Sequence, residues 1–299
     1  MNEKERIREI LRRVRQVELQ SRRKVDESMV GAYHSLFKGA GIDFSEVREY
    51  QPGDDIRAID WNVTARMDRP FLKTYTEERE RTLVLAVDLS ASGDFGTVAQ
   101  SKRELAAEVA SVLALSASRN QDKVGLLLFT DQIELYLSPK KGKQHLLRVI
   151  REILFFEPSH RETDLPFALQ TLNRLLKRKA IAFVFSDFLD GTSSEEFEAI
   201  LKLTGQRHDL ICVEMTDPRE LELPKVGIIA LEDAERGEVV EIDTKNGPFR
   251  ENYRQHNLER LKANAERFKR LGIDHLRLST DRPYIRELRR FFQFRNWRR

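Results

Sequence analysis

The chain has 299 residues, of which 40% are hydrophobic and 34% are charged. This apolar content is enough for a hydrophobic core and excludes a wholly disordered chain. The single cysteine, Cys212, excludes a disulfide framework within the chain, and its apolar surroundings predict a buried core residue. We see no secretory signal and no apolar run of about 18 residues, so we expect a cytoplasmic protein without a membrane span.

The net charge of +3 is unevenly distributed along the chain. Residues 1–30 carry nine Lys/Arg and six Asp/Glu, and residues 282–299 carry seven Arg and one Glu. The intervening segment is therefore acidic. Apolar residues at helical spacing predict an amphipathic helix over residues 3–22.

A turn-rich segment follows, and we assign residues 1–80 to an N-terminal helix and an α+β brace. Pro52-Gly53-Asp54-Asp55 predicts a turn, with Asp54 or Asp55 capping a short helix near residues 56–61. We expect Trp61 to be a packing anchor and Arg57, Asp60 and Arg66 to form an ion-pair network. The alternative is a partner-binding surface made of residues 46–50 and 57–66, including these four residues.

Residues 81–299 predict an α/β domain. Apolar runs predict strands at 82–88, 123–129, 180–187 and 209–215, an alternating strand at 133–139, and a last strand at 275–280. Helical spacing predicts helices at 101–119, 142–154, 165–178, 194–206 and 248–271, a basic helix from about residue 283, and a hairpin insertion near 226–244. This alternation indicates a doubly wound, mostly parallel sheet with one antiparallel edge strand.

Oxygen-bearing side chains follow three of these elements. Asp88, Ser90 and Ser92 follow the first buried strand, Thr163 precedes a helix, and Asp187 ends the strand at 180–187. Ligands of open α/β sheets bind outside the carboxyl ends of the strands, and hard oxygen donors suit Mg²⁺. Taken singly, the same residues also fit helix caps, and Asp88 fits a phosphoryl-transfer nucleophile.

The combination Asp88-x-Ser90-x-Ser92, Thr163 and Asp187 resembles the metal-ion-dependent adhesion site of von Willebrand factor A domains. The block from Phe37 to Glu80 resembles domain-of-unknown-function family 58 (DUF58), the MoxR-associated von Willebrand A-like proteins. The resemblance implies an A-type fold, a Mg²⁺ site (Mn²⁺ and Ca²⁺ being alternatives) and partnership with a MoxR-type AAA+ ATPase in complex assembly or stress response. It implies no established catalytic activity, so we interpret the chain as a non-catalytic interaction module.

Four further polar residues lie near the predicted site in sequence: Asp94, Asp164, Ser186 and Asp190. Asp94 and Asp164 depart from the adhesion-site pattern because they add carboxylates beside Ser92 and Thr163. Either acid is expected to change the affinity for an ion or to shield the site.

Two other functions stay open from the residues alone. The first is a Mg²⁺-dependent phosphohydrolase that uses Asp88, although the chain has no Gly-rich phosphate loop. The second is nucleic-acid binding through the C-terminus, where Phe291, Phe292, Phe294 and Trp297 alternate with arginines. We favour the view that Ile285, Leu288, Phe291 and Phe292 form the buried face of a helix, which makes nucleic acid the less favoured partner.

Overall fold

The structure is a computed structural model. It describes residues 43–67, 69–76, 81–97, 100–189, 195–232 and 239–298. The helix predicted over residues 3–22, the turn of the predicted hairpin and Asp190 lie outside these ranges. The described residues between 43 and 76 form one compact unit, and those between 81 and 298 belong to another.

The smaller unit is an antiparallel pair of strands with two short helical segments between them. Strand β1 (Asp43–Glu49) pairs with β2 (Phe71–Thr76), and a 3₁₀ turn (Ile56–Ala58) and helix α1 (Trp61–Met67) connect them. The Asp55 carboxylate accepts a hydrogen bond from the Arg57 N–H at 2.9 Å, which is the predicted cap.

The larger unit alternates strands and helices as the sequence predicts. Its strands are β3 (Thr82–Asp88), β4 (Lys123–Phe129), β5 (Ile133–Lys140), β6 (Ile181–Ser186), β7 (Asp209–Thr216), β8 (Ile228–Glu232), β9 (Val239–Asp243) and β10 (Asp274–Ser279). Its helices are α2 (Lys102–Arg119), α3 (Lys143–Phe155), α4 (Leu165–Leu175), α5 (Glu195–Arg207), α6 (Pro218–Leu221), α7 (Gly247–Arg270) and α8 (Tyr284–Arg298).

Six strands form one mixed sheet in the order β10-β7-β6-β3-β4-β5. All neighbours are parallel except β4 and β5, which pair antiparallel at one edge. A connection of three residues separates β4 from β5, too short for the crossover that a parallel pair needs. The prediction of a mixed α/β fold with a mostly parallel sheet is confirmed.

The sheet is buried on both faces, which explains why β3, β4, β6 and β7 are almost continuously apolar. Side chains alternate between the faces, so Val84 and Ala86 pack with helices α4 and α5, whose apolar residues join the same core. Helix α2 contacts β3, β4 and β7 and is buried over most of its surface. Cys212 lies in β7 with no exposed surface, as predicted.

The order of the strands creates a crevice between β3 and β6. From β3 the chain continues to β4 on one side, whereas β6 and then β7 and β10 lie on the other side. Such a reversal is the topological switch point of a doubly wound sheet, where ligands bind at the carboxyl ends of the strands. Asp88 ends β3 and Asp187 follows β6, so both lie at this crevice.

Helices α7 and α8 contact the edge strand β10 of this sheet. Strands β8 and β9 pair antiparallel with each other. Helix α8 buries Leu288 and Phe292, while Arg295, 5% exposed, contacts Asp274 at 2.8 Å and also pairs with Asp209. None of the described helices combines the length and apolar character that a bilayer crossing requires.

Candidate functional site

Asp88 is the centre of the crevice at the switch point. The Ser186 hydroxyl donates a hydrogen bond to its Oδ2 at 2.8 Å, and the Ser90 N–H donates to its Oδ1 at 2.9 Å. The Thr163 hydroxyl lies 3.3 and 3.4 Å from the two carboxylate oxygens. Burial and the neighbouring charge of Asp187 raise the pKa of Asp88 to about 6, against the effect of the hydrogen bonds from Ser90 and Ser186.

The two serines of the Asp-x-Ser-x-Ser motif turn toward each other. A 3₁₀ turn (Ala91–Asp94) follows β3 and folds the loop back over the strand end. The Ser90 and Ser92 hydroxyl oxygens lie 3.0 Å apart, so one hydroxyl donates a hydrogen bond to the other. This leaves unshared lone pairs on both oxygens, which is the property that a cation requires of hydroxyl ligands.

Hydrogen bonds before and after Thr163 position its loop. Before it, the Ala91 N–H donates to the Arg161 carbonyl at 3.0 Å, and the Glu134 carboxylate accepts from the N–H groups of Ser159 and His160 at 3.0 and 3.1 Å. After it, the Asp164 N–H donates to the Thr130 carbonyl at 3.2 Å. The loop is therefore fixed on both sides of Thr163 before helix α4 begins.

A buried lysine lies in the same crevice. Lys102, at the first position of α2, is 2% exposed, and its ammonium contacts Asp187 Oδ2 at 2.7 Å and Glu220 Oε1 at 2.5 Å. Burial alone would lower the pKa of Lys102, but the charges of Asp187 and Glu220 outweigh this effect and the pKa is raised. Lys102 is therefore protonated beside Asp187 at neutral pH.

The short helix α6 positions Glu220 next to this lysine. The Asp217 carboxylate caps α6 by accepting from the Arg219 N–H at 2.9 Å, and Glu220 Oε2 accepts from the Asp217 N–H at 3.1 Å. Asp217 also accepts hydrogen bonds from the hydroxyls of Thr97 and Thr280 at 2.5 and 2.6 Å. Burial would raise the pKa of Asp217, but the hydrogen bonds from these donors lower it overall.

The cavity between these groups has a volume of about 20 Å³, and its polar lining consists of Asp88, Ser90, Ser92, Lys102, Arg103, Ser186 and Asp187. That volume suits one water-sized guest. Arg103 faces Asp94 at 3.7 Å and Lys102 contacts Asp187 and Glu220, whereas Asp88 has no ion-pair partner among the described residues. When ionised, these four carboxylates carry four negative charges against two positive ones. The described residues contain no cluster of three His, Cys, Asp or Glu side chains suited to a metal, so an ion here would need hydroxyl ligands. Hydroxyl and carboxylate oxygens, a small cavity and excess negative charge fit a small divalent cation.

Four of the five predicted ligands line the cavity, namely Asp88, Ser90, Ser92 and Asp187. Thr163 does not line it but lies 3.3 Å from the Asp88 carboxylate, and two of the neighbouring acids lie apart from the cavity. Asp94 is 71% exposed and faces Arg103 at 3.7 Å. Asp164 caps helix α4 by accepting from the Phe167 N–H at 2.8 Å. Neither lines the cavity, and the effect of these acids on the affinity for an ion stays a prediction.

The smaller unit corrects one prediction. Trp61 is 67% exposed and is not a packing anchor within the described residues, because it begins a helix that has no buried residue. Asp60 is 8% exposed and accepts a hydrogen bond from the Asn62 N–H at 3.0 Å at the start of α1. The ion pairs seen in this unit are Arg48–Asp54 at 2.7 Å and Arg69–Glu49 at 3.2 Å, and the side chains of Arg57 and Arg66 are exposed.

Sequence reasoning missed Lys102 and Glu220. A capping box of Ser101 and Glu104 places Lys102 at a helix start, where a lysine is normally solvated. The sequence Asp217-Pro218-Arg219-Glu220 contains the signal that could have revealed α6, since it combines an N-cap, a proline at the first helical position and an acid at the third.

The chain is similar in sequence to uncharacterized bacterial proteins. It is 32% identical over 280 residues to an uncharacterized protein of Mycobacterium tuberculosis and to one of Mycobacterium bovis, covering 93% of this chain and 87% of each relative. It is 24% identical over 173 residues to the uncharacterized protein YeaD of Bacillus subtilis, covering 58% of this chain and 40% of YeaD.

Two solved structures are also similar. The conserved hypothetical protein BatB of Bacteroides thetaiotaomicron is 16% identical with a TM-score of 0.46, covering 72% of this chain and 98% of BatB. An aerotolerance-related membrane protein of Bacteroides fragilis is 16% identical with a TM-score of 0.48, covering 72% of this chain and 99% of that protein. The model of the protein family of unknown function DUF58 matches residues 46–263. With that match and the mycobacterial relatives, the chain belongs to the DUF58 family.

Proposed function

We propose that this protein is a non-catalytic interaction module of the von Willebrand factor A type that binds its partner through a Mg²⁺-dependent site. Asp88, Ser90, Ser92, Thr163 and Asp187 would hold the ion, with Ser186 orienting Asp88. The observation that carries the proposal is the Asp88 carboxylate, which faces a small crevice beside a second carboxylate and is contacted only by O–H and N–H donors. A bound cation supplies a position at which one more oxyanion can bind.

The charge of the crevice supports a divalent rather than a monovalent cation. Lys102 and Arg103 neutralise two of the four carboxylates, which leaves two negative charges when all of them are ionised. The small cavity favours Mg²⁺ or Mn²⁺ over the larger Ca²⁺, which takes six to eight oxygen ligands. Few charged ligands would contact the ion directly in this arrangement, so a carboxylate of a partner protein would complete its coordination.

We further propose that the partner belongs to the class of MoxR-type AAA+ ATPases and that the chain acts as its adaptor in complex assembly or stress response. The basis for this partner is the family resemblance carried by residues 37–80 and the Asp-x-Ser-x-Ser motif. The exposed residues Arg57, Trp61 and Arg66 of the smaller unit, with Asp60 directly before helix α1, are a second candidate contact for it.

Calorimetric titration with Mg²⁺ and Mn²⁺ tests the site. We expect saturable binding by the wild type and its loss in Asp88→Asn, which keeps the shape of the side chain and removes its charge. Asp94→Asn is the matched control, because Asp94 belongs to the same loop but is 71% exposed and lies outside the cavity. Equal binding by all three proteins would contradict the proposed ligands.

A binding assay with the MoxR-type ATPase of the same organism tests the partner. We expect complex formation in Mg²⁺, its loss in EDTA, and its loss with Asp88→Asn but not with Asp94→Asn. Binding that ignores both EDTA and Asp88→Asn would contradict a metal-bridged contact. Phosphatase turnover that is abolished by Asp88→Asn would instead support the alternative of a Mg²⁺-dependent phosphohydrolase.

A further inference from the structure

A second cleft lies at the opposite edge of the sheet, at the amino-terminal ends of β6 and β7. Its volume is about 540 Å³, within the range of small-molecule sites in proteins. The ends of helices α4 and α5 and the connection from α4 to β6 form its walls. Five cationic side chains line it: Arg174, Lys177, Arg178, Lys179 and Arg207.

These five charges have no counter-ions in the described chain. No described carboxylate lies within ion-pair distance of any of them, and no Asp or Glu lines the cleft. The nearest acid in sequence, Asp209, is paired with Arg295. Arg207 donates a hydrogen bond to the Asn173 carbonyl at 3.4 Å, which holds its guanidinium beside the cleft. Like charges gathered in a concave surface create a positive potential that attracts anions.

The lining also contains a buried hydrogen-bond donor without an acceptor. His208 is 3% exposed, and the Ala180 N–H donates to its Nδ1 at 3.4 Å, so the imidazole proton lies on Nε2. Nε2 is buried and has no partner in the described structure. Burial, followed by the charges of Arg207 and Lys179, lowers the pKa of His208, which keeps the imidazole neutral at pH 7.

A buried acceptor without a donor lies beside it. The Thr204 hydroxyl donates to the Ile200 carbonyl at 2.7 Å, so its oxygen accepts a hydrogen bond from Asn173 Nδ2 at 2.8 Å. This pairing orients the Asn173 amide and leaves its Oδ1 buried with no described donor. Buried polar groups are nearly always paired, so the unmatched atoms of His208 and Asn173, two residues of the cleft lining, indicate a guest that reaches them when these side chains turn toward it.

We propose that this cleft, formed by the five cations with Asn173 and His208, binds a phosphate ester of a hydroxyl-rich small molecule, as in sugar phosphates and nucleotides. Guanidinium and ammonium groups bind the phosphate, the His208 Nε2–H donates to an ester or hydroxyl oxygen, and Asn173 Oδ1 accepts from a hydroxyl. The cleft has no Phe, Tyr or Trp lining, which disfavours single-stranded nucleic acid, whose bases stack on aromatic side chains.

Calorimetric titration of the full chain in EDTA tests this proposal with ribose 5-phosphate, AMP, inorganic phosphate and a single-stranded DNA oligomer. We expect ribose 5-phosphate or AMP to bind more tightly than inorganic phosphate, and the first two separate a sugar-phosphate from a nucleotide preference. The double variant Lys177→Glu, Arg178→Glu should weaken binding at least tenfold. Both positions are exposed, so the fold is expected to tolerate them.

Two further variants make the test specific. Lys202→Glu, an exposed charge reversal on α5 outside the cleft, should leave binding unchanged. Asn173→Ala should remove the preference for ribose 5-phosphate over inorganic phosphate while keeping phosphate binding. Absence of binding to every phosphate ester at millimolar concentration, binding to the oligomer alone, or equal weakening by Lys202→Glu would overturn the proposal. Asp88→Asn should have no effect, so this result is independent of the metal site.

Discussion

Replacing Lys102 with methionine tests the charge balance of the candidate metal site. Methionine keeps an unbranched apolar stem but removes the ammonium shared by Asp187 and Glu220. Lys102 is 2% exposed, and the two carboxylates are 10% and 19% exposed, so water replaces the lost contacts only in part. Removing one partner of a buried ion pair costs about 3 to 5 kcal/mol. We therefore expect the free energy of unfolding of the metal-free protein to fall by about that amount.

Urea denaturation in EDTA measures this change, and a thermal melt provides a second reading. For a unit of this size, 1 kcal/mol lowers Tm by about 2 to 4 °C, so Lys102→Met should lower it by about 6 to 20 °C. Lys143→Met is the matched control, because Lys143 is exposed at the start of α3 and should change stability little.

The same variant should be less stable than the wild type without metal but should bind Mg²⁺ more tightly. With the ammonium gone, Asp187 is free to contact an ion, so Mg²⁺ should bind Lys102→Met more tightly than the wild type and restore part of its stability through mass action. Wild-type stability of Lys102→Met in EDTA would refute the view that Lys102 neutralises these carboxylates. Weaker Mg²⁺ binding by the variant would refute the view that the ammonium competes with the ion.

Three further changes probe the surrounding network. Burial would raise the pKa of Glu214, but hydrogen bonds from His275 and Asn264 and the charge of Arg277 lower it overall. A carboxylate whose pKa is lowered by folding stabilises the fold at pH values above its pKa in the unfolded chain. This stabilisation is lost as the pH falls through its pKa in the folded protein. Glu214→Gln should therefore destabilise the protein by about 3 kcal/mol at pH 7 and by less near pH 3, and equal losses in urea titrations at both values would contradict this. Asp217→Ala should lower Tm and weaken the Lys102 contact by releasing α6, and an unchanged melting curve would argue otherwise. Ser101→Ala should cost about 1 kcal/mol through loss of the α2 cap, measured by urea denaturation, with no cost expected if the cap is incidental.

The sheet was predictable because its strands carry a strong local pattern. Strand β3 was predicted over 82–88 and is observed there, since a strand buried on both faces requires an unbroken apolar run. The antiparallel edge followed from the short connection between β4 and β5. The crevice followed from strand order, because Asp88 and Asp187 end neighbouring parallel strands.

The features that the sequence did not predict depend on contacts between residues distant in sequence. Lys102 and Asp187 are 85 residues apart, and Lys102 and Glu220 are 118 apart. No local pattern predicts that a lysine at a helix start is buried, because its burial depends on which distant segments pack against it in the fold. Trp61 is the opposite case, a residue predicted to be buried that is exposed. Large aromatic residues are usually well buried, but the local sequence does not show whether anything packs against this one.

The basic cleft was hidden for a similar reason. The run Lys177-Arg178-Lys179 is visible in the sequence, but a charged run is ordinarily a solvated surface. Its meaning depends on Arg207, which the fold brings alongside from α5, and on His208 and Asn173, whose unmatched atoms only the packing reveals.

The most direct measurement of the metal-site proposal is a crystal structure grown with Mn²⁺, with anomalous scattering recorded at the manganese edge. We expect one anomalous peak in the crevice, about 2 Å from oxygens of Asp88, Ser90 or Ser92. The Asp88→Asn crystal grown in the same solution should lack that peak. A crevice without anomalous density at saturating Mn²⁺, with Lys102 still bound to Asp187, would contradict a cation site at the end of β3.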